Sequence, residues 1–573
     1  MFDVIIRGGE VVDGTGSARR RADVAIRGGR IVQVGEVTGD APSTIDATGK
    51  VVAPGFVDVH THFDAQVFWD SALTPSPLHG VTTALAGNCG FTIAPLSDDP
   101  SDGEYLMRML ARVEGMPLES LREGVPWSWR STAEYLDTIE GSLGINAAFM
   151  VGHSALRRVV MGNDATEREA TAAELEAMSR LLHEGLDAGG LGFSSSWART
   201  HNDADRHMVP SRYATRDELV HLAGVVGQHE GTSLEFIPQV GPRFEPWAMN
   251  LMADMSASAQ RPLNWNSLRV SAAGMNDVFA RLGAGDVARA KGGKVIALTI
   301  PQTSGVRVSF ASGFAFDAMP GWEEAMLLPR AEKLALFRDK MARDRLNELA
   351  QAPGNPFAAI TNWSTMLVCD VVADENKEYE GRLVGDIAAE QRRSAWDVLC
   401  DIALADELLT SFGVDLARES DDDWKAKVDV WRDGRAVIGA SDAGAHLDLL
   451  ASFNYATVLL GEGVRERQVL GLEEAINLIT DVPARLYGLV DRGRIAEGWH
   501  ADVVVLDPAT VASDNVAMRF DLPGGAGRLY AGAKGIEHVL VNGTALVSDG
   551  VLTAERSGTL LRSGRDVRTP AMD

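Results

Sequence analysis

The sequence of 573 residues predicts an α/β chain: a (β/α)8 barrel of the TIM type, with a small composite β-sandwich domain formed by both chain ends and an insertion before the last strand. Three observations predict it. Short β-branched runs open the chain and recur near its end. Strand-like apolar runs alternate with helical stretches through the middle. Between Pro301 and about Asp433 the chain is too long for a simple crossover.

The first of these covers both ends. Asp3-Val-Ile-Ile-Arg, Glu10-Val-Val-Asp, Asp23-Val-Ala-Ile-Arg and Arg30-Ile-Val-Gln-Val are separated by Gly-rich turns, as in a small antiparallel sheet. Asp502-Val-Val-Val-Leu-Asp507 and His538-Val-Leu-Val-Asn-Gly543 repeat the pattern, and Asn542-Gly543 is a hairpin signal. The sandwich is therefore expected at 1–54 and 485–573, and the barrel at 55–484.

The middle supplies eight strands. The first ends at His62, and the others begin near Val81, Ile145, Gly190, Ser233, Pro262, Lys294 and Ala436. Helical stretches such as Thr171-Ala-Ala-Glu-Leu-Glu-Ala-Met lie between several of them, and polar residues cluster just after the strands, where such barrels place their sites. The excess length at about 301–433, with Gly321-Trp322, Pro353-Gly354 and Trp363, reads as an insertion folding over the barrel mouth. Its apolar content argues against a disordered linker.

Composition narrows the function. A formal net charge of -26 opposes nucleic acid or an anionic membrane as partner. Three cysteines, Cys89, Cys369 and Cys400, lie far apart and imply no disulfide framework. With no apolar run of membrane-spanning length and charges near Met1, the expected location is cytoplasmic.

The chemistry gathers at Gly55-Phe-Val-Asp-Val-His-Thr-His62. Residues two apart on a strand share a face, so His60 and His62 make half of a metal site. Asp442 ends the strand Ala436-Val-Ile-Gly-Ala, and first and last strands are neighbours in a closed barrel. It can serve there as metal ligand and as the base that takes a proton from water; taken alone, it reads as a helix N-cap. Cys89, within Gly87-Asn-Cys-Gly90, is either a thiolate ligand or a buried inert thiol. His153 and His446 follow strands and either contact substrate or are hydrogen-bonded loop residues. His201 and His207, after the fourth strand, are candidates for a substrate loop.

At these motifs the chain resembles the amidohydrolase superfamily, and within it the N-acyl-D-amino-acid deacylase (D-aminoacylase) family. The matching stretches include Ala53-Pro-Gly-Phe-Val-Asp-Val-His-Thr-His62, Gly87-Asn-Cys-Gly-Phe-Thr-Ile-Ala-Pro95, Val113-Glu-Gly-Met-Pro-Leu, Gly152-His-Ser-Ala-Leu-Arg157, Ser441-Asp442 and Arg492-Gly-Arg-Ile-Ala-Glu-Gly-Trp-His-Ala-Asp502. The resemblance spans nearly the whole chain. It implies a barrel with a composite β-sandwich, one or two Zn2+ ions, and a metal centre at His60, His62, Cys89 and Asp442. It also shows departures. Where the family carries metal-binding histidines on strands five and six, this chain has Ser233-Leu-Glu-Phe-Ile and Asn264-Trp-Asn-Ser-Leu-Arg269. Glu235, Asn266 and His446 are the candidates to complete the site. Arg269 stands where the family has lysine and is expected to hold a substrate carboxylate. The family's His-Pro-Arg segment is replaced by Ala443-Gly-Ala-His446.

The expected function is a metal-dependent amidohydrolase that cleaves the amide C–N bond of N-acyl amino acids or related amides with metal-activated water. Asp442 is its base, and Arg269, His153 and His446 are its substrate-binding residues. Two alternatives are a hydrolase of cyclic amides or another C–N bond, and a metal-free, non-catalytic binding protein on the same scaffold. The partner is a small-molecule amide, with homo-oligomerisation left open.

Overall fold

A computed structural model describes residues 1–302, 305–313, 315–353, 355, 360–414 and 419–572. Gly354 of the expected insertion lies outside them. Eight parallel strands form the barrel: β1 (Phe56–Asp58), β2 (Val81–Ala86), β3 (Asn146–Phe149, its line continuing through Val151–Gly152), β4 (Gly192–Ser196), β5 (Ser233–Ile237), β6 (Pro262–Trp265), β7 (Lys294–Thr299) and β8 (Ala436–Ile438). Each pairs with the next, from Phe56↔Val81 through Leu234↔Leu263 to Ala297↔Ala436. Such strands are covered on both faces, which is why they read as nearly unbroken apolar runs.

The barrel closes just beyond the ends of β8 and β1. Asp442 N–H donates to His60 O at 3.0 Å, and His62 N–H donates to Ala443 O at 2.7 Å. The backbone that completes the cylinder thus carries the candidate ligands. Some of the helices that return the chain carry side-chain caps; the one over Ala172–Asp187 has a full capping box between Thr171 and Glu174.

Both ends of the chain join one nine-stranded sheet. Its central seam pairs Val51–Pro54 antiparallel with Val503–Leu506, in the register Val503↔Pro54. The hairpin at Asn542-Gly543 forms as its sequence requires, with φ of 47° and 81° at the two turn residues. A buried polar hub fastens this sheet to the barrel. Asn146 at the start of β3 donates to Asp502 at 3.1 Å, Arg492 ion-pairs with Asp502, and Asn542 donates to Asn146 at 2.9 Å.

Between β7 and β8 the insertion builds an antiparallel sheet from Arg307–Val308, Ser411–Val414 and Met366–Asp370, together with several helices. It has its own aromatic core, in which the rings of Phe310 and Phe337 lie 4.6 Å apart and those of Trp363 and Trp396 4.9 Å apart. Leu449, seven residues after Asp442, packs into that core, and Arg307 N–H donates to its carbonyl at 2.9 Å.

Among the described residues, no helix is long and apolar enough to cross a membrane. One buried histidine ties the barrel to the C-terminal segment. His79 meets Thr457 Oγ1 at 2.8 Å and Ala531 O at 3.1 Å, and burial lowers its pKa from 6.5 to about 4. Between these values the unfolded chain binds the proton that the folded chain refuses. This part of the stability is therefore complete above pH 6.5 and falls by about 3 kcal/mol as the pH drops to 4. Urea midpoints measured from pH 7 to 4 should show the decline, and His79→Gln should make it shallower, the remainder coming from groups such as His201 and His500 that burial lowers in the same direction. An unaltered slope in that variant would remove His79 as its source.

Candidate metal centre

The residues that converge at the closure of the barrel come from four places in the chain. His60 and His62 leave β1, Cys89 follows β2, and Asp442 follows β8; Glu114 caps the C-terminal end of helix α1 (Pro100–Val113). Cys89 Sγ lies 3.6 Å from His60 Nε2 and 3.9 Å from His62 Nε2. Asp442 Oδ1 lies 3.5 Å from His60 Nε2 and 3.1 Å from His62 Nε2. Glu114 Oε2 is 3.6 Å from His62 Nε2, and His446 Nε2 is 3.8 Å from Asp442 Oδ2. The helix-cap alternative for Asp442 does not hold, since no helix starts there.

The local backbone is bent to achieve this. Cys89, Asp442 and His446 have φ of 58°, 59° and 47°. Such left-handed backbone costs of order 1–3 kcal/mol at a non-glycine residue and clusters at functional sites. Two glycines make room for it. Gly444 has φ +91° and sits where a Cβ would lie 2.5 Å from His62 O, and Gly87 has φ +79° against the Met150 backbone.

Five buried or half-buried carboxyl groups, Asp58, Asp64, Glu114, Glu235 and Asp442, surround the two histidines. Among the described residues, none of the five is ion-paired with a lysine or arginine. Burial pushes the pKa of Asp58 to about 7, Asp64 to about 6, Glu114 to about 7 and Glu235 to about 8. Burial, and then Glu235 and Glu114, also raise the Cys89 thiol well above its usual range. Burial acts against protonation of His62, but the charge of Glu114 and the Asp442 hydrogen bond prevail and lift it to about 9. Burial likewise acts against ionisation of Asp442, yet its bonds to His60 and His62 hold the carboxyl well below the usual range. Two imidazoles, a thiol and several carboxylates facing one another without a fixed cation suit a bound divalent metal. His60, His62 and Cys89 form one donor group, and His62, Glu114 and Asp442 form another.

The residues expected on strands five and six are also here. Glu235 on β5 accepts the Cys89 N–H through Oε2 at 2.8 Å, and its Oε1 is buried without a hydrogen-bond partner. Asn266, just past β6, places Nδ2 3.0 Å from His60 Nε2. The cluster is open along the edge where the side chains of Asp442 and His446 are 25% and 19% exposed.

His153 requires a correction. It opens helix α2 (His153–Met161), is fully buried, and has both ring nitrogens engaged, Nδ1 with Ser195 Oγ at 2.8 Å and Nε2 with Glu218 Oε1 at 2.8 Å. Glu218, on helix α3 (Arg216–Val226), is gripped by Arg157 Nη1 at 2.6 and 2.7 Å. This network locks α2 to α3 and leaves His153 no atom for a substrate. Arg269 is exposed in the segment after β6. His201, from the polar segment after β4, bonds Ser196 Oγ at 2.7 Å, and its ring lies 5.1 Å from that of Phe91 at a tilt of 59°.

Glu114 lies in the stretch Val113-Glu-Gly-Met-Pro-Leu but is given no role by the sequence expectation, although a further signal for it exists. It continues the apolar stripe Leu106, Leu110, Val113 of α1, four residues after Leu110, where an acid has no reason to be buried unless it has a task.

The amidohydrolase family model matches residues 43–547 of the chain. An N-acyl-D-glutamate deacylase from Alcaligenes xylosoxydans xylosoxydans is 30% identical over 577 residues, 98% of this chain and 96% of that protein. Two solved structures align over 98% of this chain and 100% of theirs, at 26% identity. One is a D-aminoacylase studied for its binuclear metal centre, with one-metal activation and second-metal attenuation, at a TM-score of 0.65. The other is the N-acyl-D-glutamate deacylase of Bordetella bronchiseptica complexed with zinc and a phosphonate mimic of the tetrahedral intermediate, at 0.64.

Proposed function

This chain belongs to the amidohydrolase family, and on that premise we propose that it is a zinc-dependent hydrolase of the amide C–N bond of N-acyl amino acids. The observation that carries the reading is the convergence of His60, His62, Cys89 and Asp442 amid buried carboxylates that pair with no lysine or arginine among the described residues. A decayed, metal-free binding site has no use for that arrangement. The relatives named above, N-acyl-D-glutamate deacylases among them, support the substrate class and favour the D configuration.

Zinc, when bound by His60, His62, Cys89 and Asp442, supplies a Lewis acid that makes water nucleophilic and polarises the scissile carbonyl. The chain's own groups then handle the proton. Asp442 Oδ2, on the open edge of the cluster, takes a proton from the attacking water as its oxygen bonds to the carbonyl carbon. The same oxygen returns that proton to the nitrogen as the C–N bond breaks, giving a carboxylic acid and a free amino group. His446, 3.8 Å away, borders this path. Exposed Arg269 is the group proposed to hold a substrate carboxylate.

A panel of N-acetyl-D- and N-acetyl-L-amino acids, run beside cyclic imides, tests the substrate class. The N-acyl amino acids should be cleaved; turnover of cyclic imides alone would transfer the assignment to ring opening. Dialysis against a strong chelator should abolish turnover, and one equivalent of zinc should restore it. Full activity in protein shown by elemental analysis to be metal-free would remove zinc from the reading.

A further inference from the structure

We propose that Glu114 is itself a ligand of the metal centre, delivered from the end of a helix and not from a barrel strand. The inference rests on the metal-dependent reading above and extends it to a residue which that reading does not use.

Four observations carry it. Glu114 Oε2 stands 3.6 Å from His62 Nε2, the spacing of two donors that share an ion, and Glu114, His62 and Asp442 have donor atoms within 4.8 Å of one another. The carboxyl is 3% exposed, and His62 is its only ion-pair partner among the described residues, so its charge faces the cluster alone. The chain also fixes its position. Glu114 N–H donates to Leu110 O at 2.9 Å, its own carbonyl accepts the His446 N–H at 2.5 Å, and a Cβ on Gly115 would lie 3.2 Å from His446 Cα. The end of α1 and the loop after Asp442 therefore form one rigid piece that aims two carboxylates at His62. Finally, the β5 and β6 side of the cluster is partly committed, with Oε1 of Glu235 left without a hydrogen-bond partner there among the described residues. Glu235 spends Oε2 on the Cys89 N–H, and Asn266 presents an amide to His60. Glu114 supplies an additional anionic donor from the end of α1, beside His62 and Asp442. The result is a centre of two imidazoles, one thiolate and two carboxylates, harder than histidine and cysteine alone would make it.

The test uses the full-length protein and metal binding as its readout. Zinc affinity is measured by chelator competition, and the visible spectrum is recorded after loading with cobalt(II), for the wild type, Glu114→Gln and Glu114→Asp. Glu114→Gln should weaken zinc by at least about tenfold and alter the cobalt spectrum. Glu114→Asp keeps the charge with a shorter reach and should fall between the two, which guards against misfolding of the glutamine variant. An unchanged affinity and spectrum in Glu114→Gln overturns the proposal. Weaker zinc with an unchanged cobalt spectrum also overturns it, since Glu114 would then act through His62 as a positioning residue. A wild type that takes up neither metal defeats the underlying reading instead.

Discussion

Asp442→Asn should lower kcat by about 10³-fold while the protein still folds, at some cost in stability from the lost pairing with His60 and His62. The substitution separates charge from conformation unusually well. Asp442 has φ of 59°, and asparagine is among the few residues that accept left-handed backbone readily. The closure bond from its N–H to His60 O survives, since it involves only backbone. What disappears is the carboxylate that moves the proton. Metal content should persist through His60, His62 and Cys89. Steady-state kinetics, elemental analysis and a urea melt on one preparation decide the matter. Turnover within tenfold of wild type, with the metal in place, would exclude Asp442 as the base.

Arg157→Met should do the reverse, costing stability and not chemistry. Arg157 is fully buried and holds Glu218 Oε1 and Oε2 through one nitrogen, at 2.6 and 2.7 Å; its other terminal nitrogen donates to Arg168 O at 2.9 Å. Removing one partner of a buried ion pair strands the other's charge, at a cost of about 3–5 kcal/mol. The urea midpoint should fall accordingly. Glu218→Gln in the same chain should recover part of the loss, because the stranded charge is then gone. Below the transition, kcat should stay within a few-fold of wild type, because the network serves the packing of α2 on α3. A large fall in kcat in fully folded Arg157→Met would show that His153 and its partners reach the reaction after all.

These two residues also show what the sequence makes legible. Asp442, His60, His62 and Cys89 could be found because each follows a recognisable strand and strand ends share one face of a barrel. Most of the eight strands could be found for a related reason: runs covered on both sides are largely apolar, although β4 carries three buried serines. His153 met the same rule and was misread. Its position after β3 was visible, but its partner Glu218 lies 65 positions away on another helix. Glu114 failed in the opposite way. It belongs to a helix, and only the three-dimensional meeting of that helix end with the His446 loop gives its carboxylate a purpose. Spacing along a strand is local information, whereas helix-to-loop contacts are not.

The shared sheet has a consequence for how the protein is made. Lys50 and Asp507, which flank its central seam, pair at 3.0 Å although they are 457 positions apart. At a synthesis rate of about 5–20 residues per second, the first of these segments waits on the order of 20–90 s for the second. Through that interval Val51–Pro54 presents an unpaired edge immediately before the strand that carries His60 and His62. The nascent chain is thus open to mispairing next to its candidate metal ligands, and a chain truncated before Val503 has a sheet without the strand that pairs with Val51–Pro54.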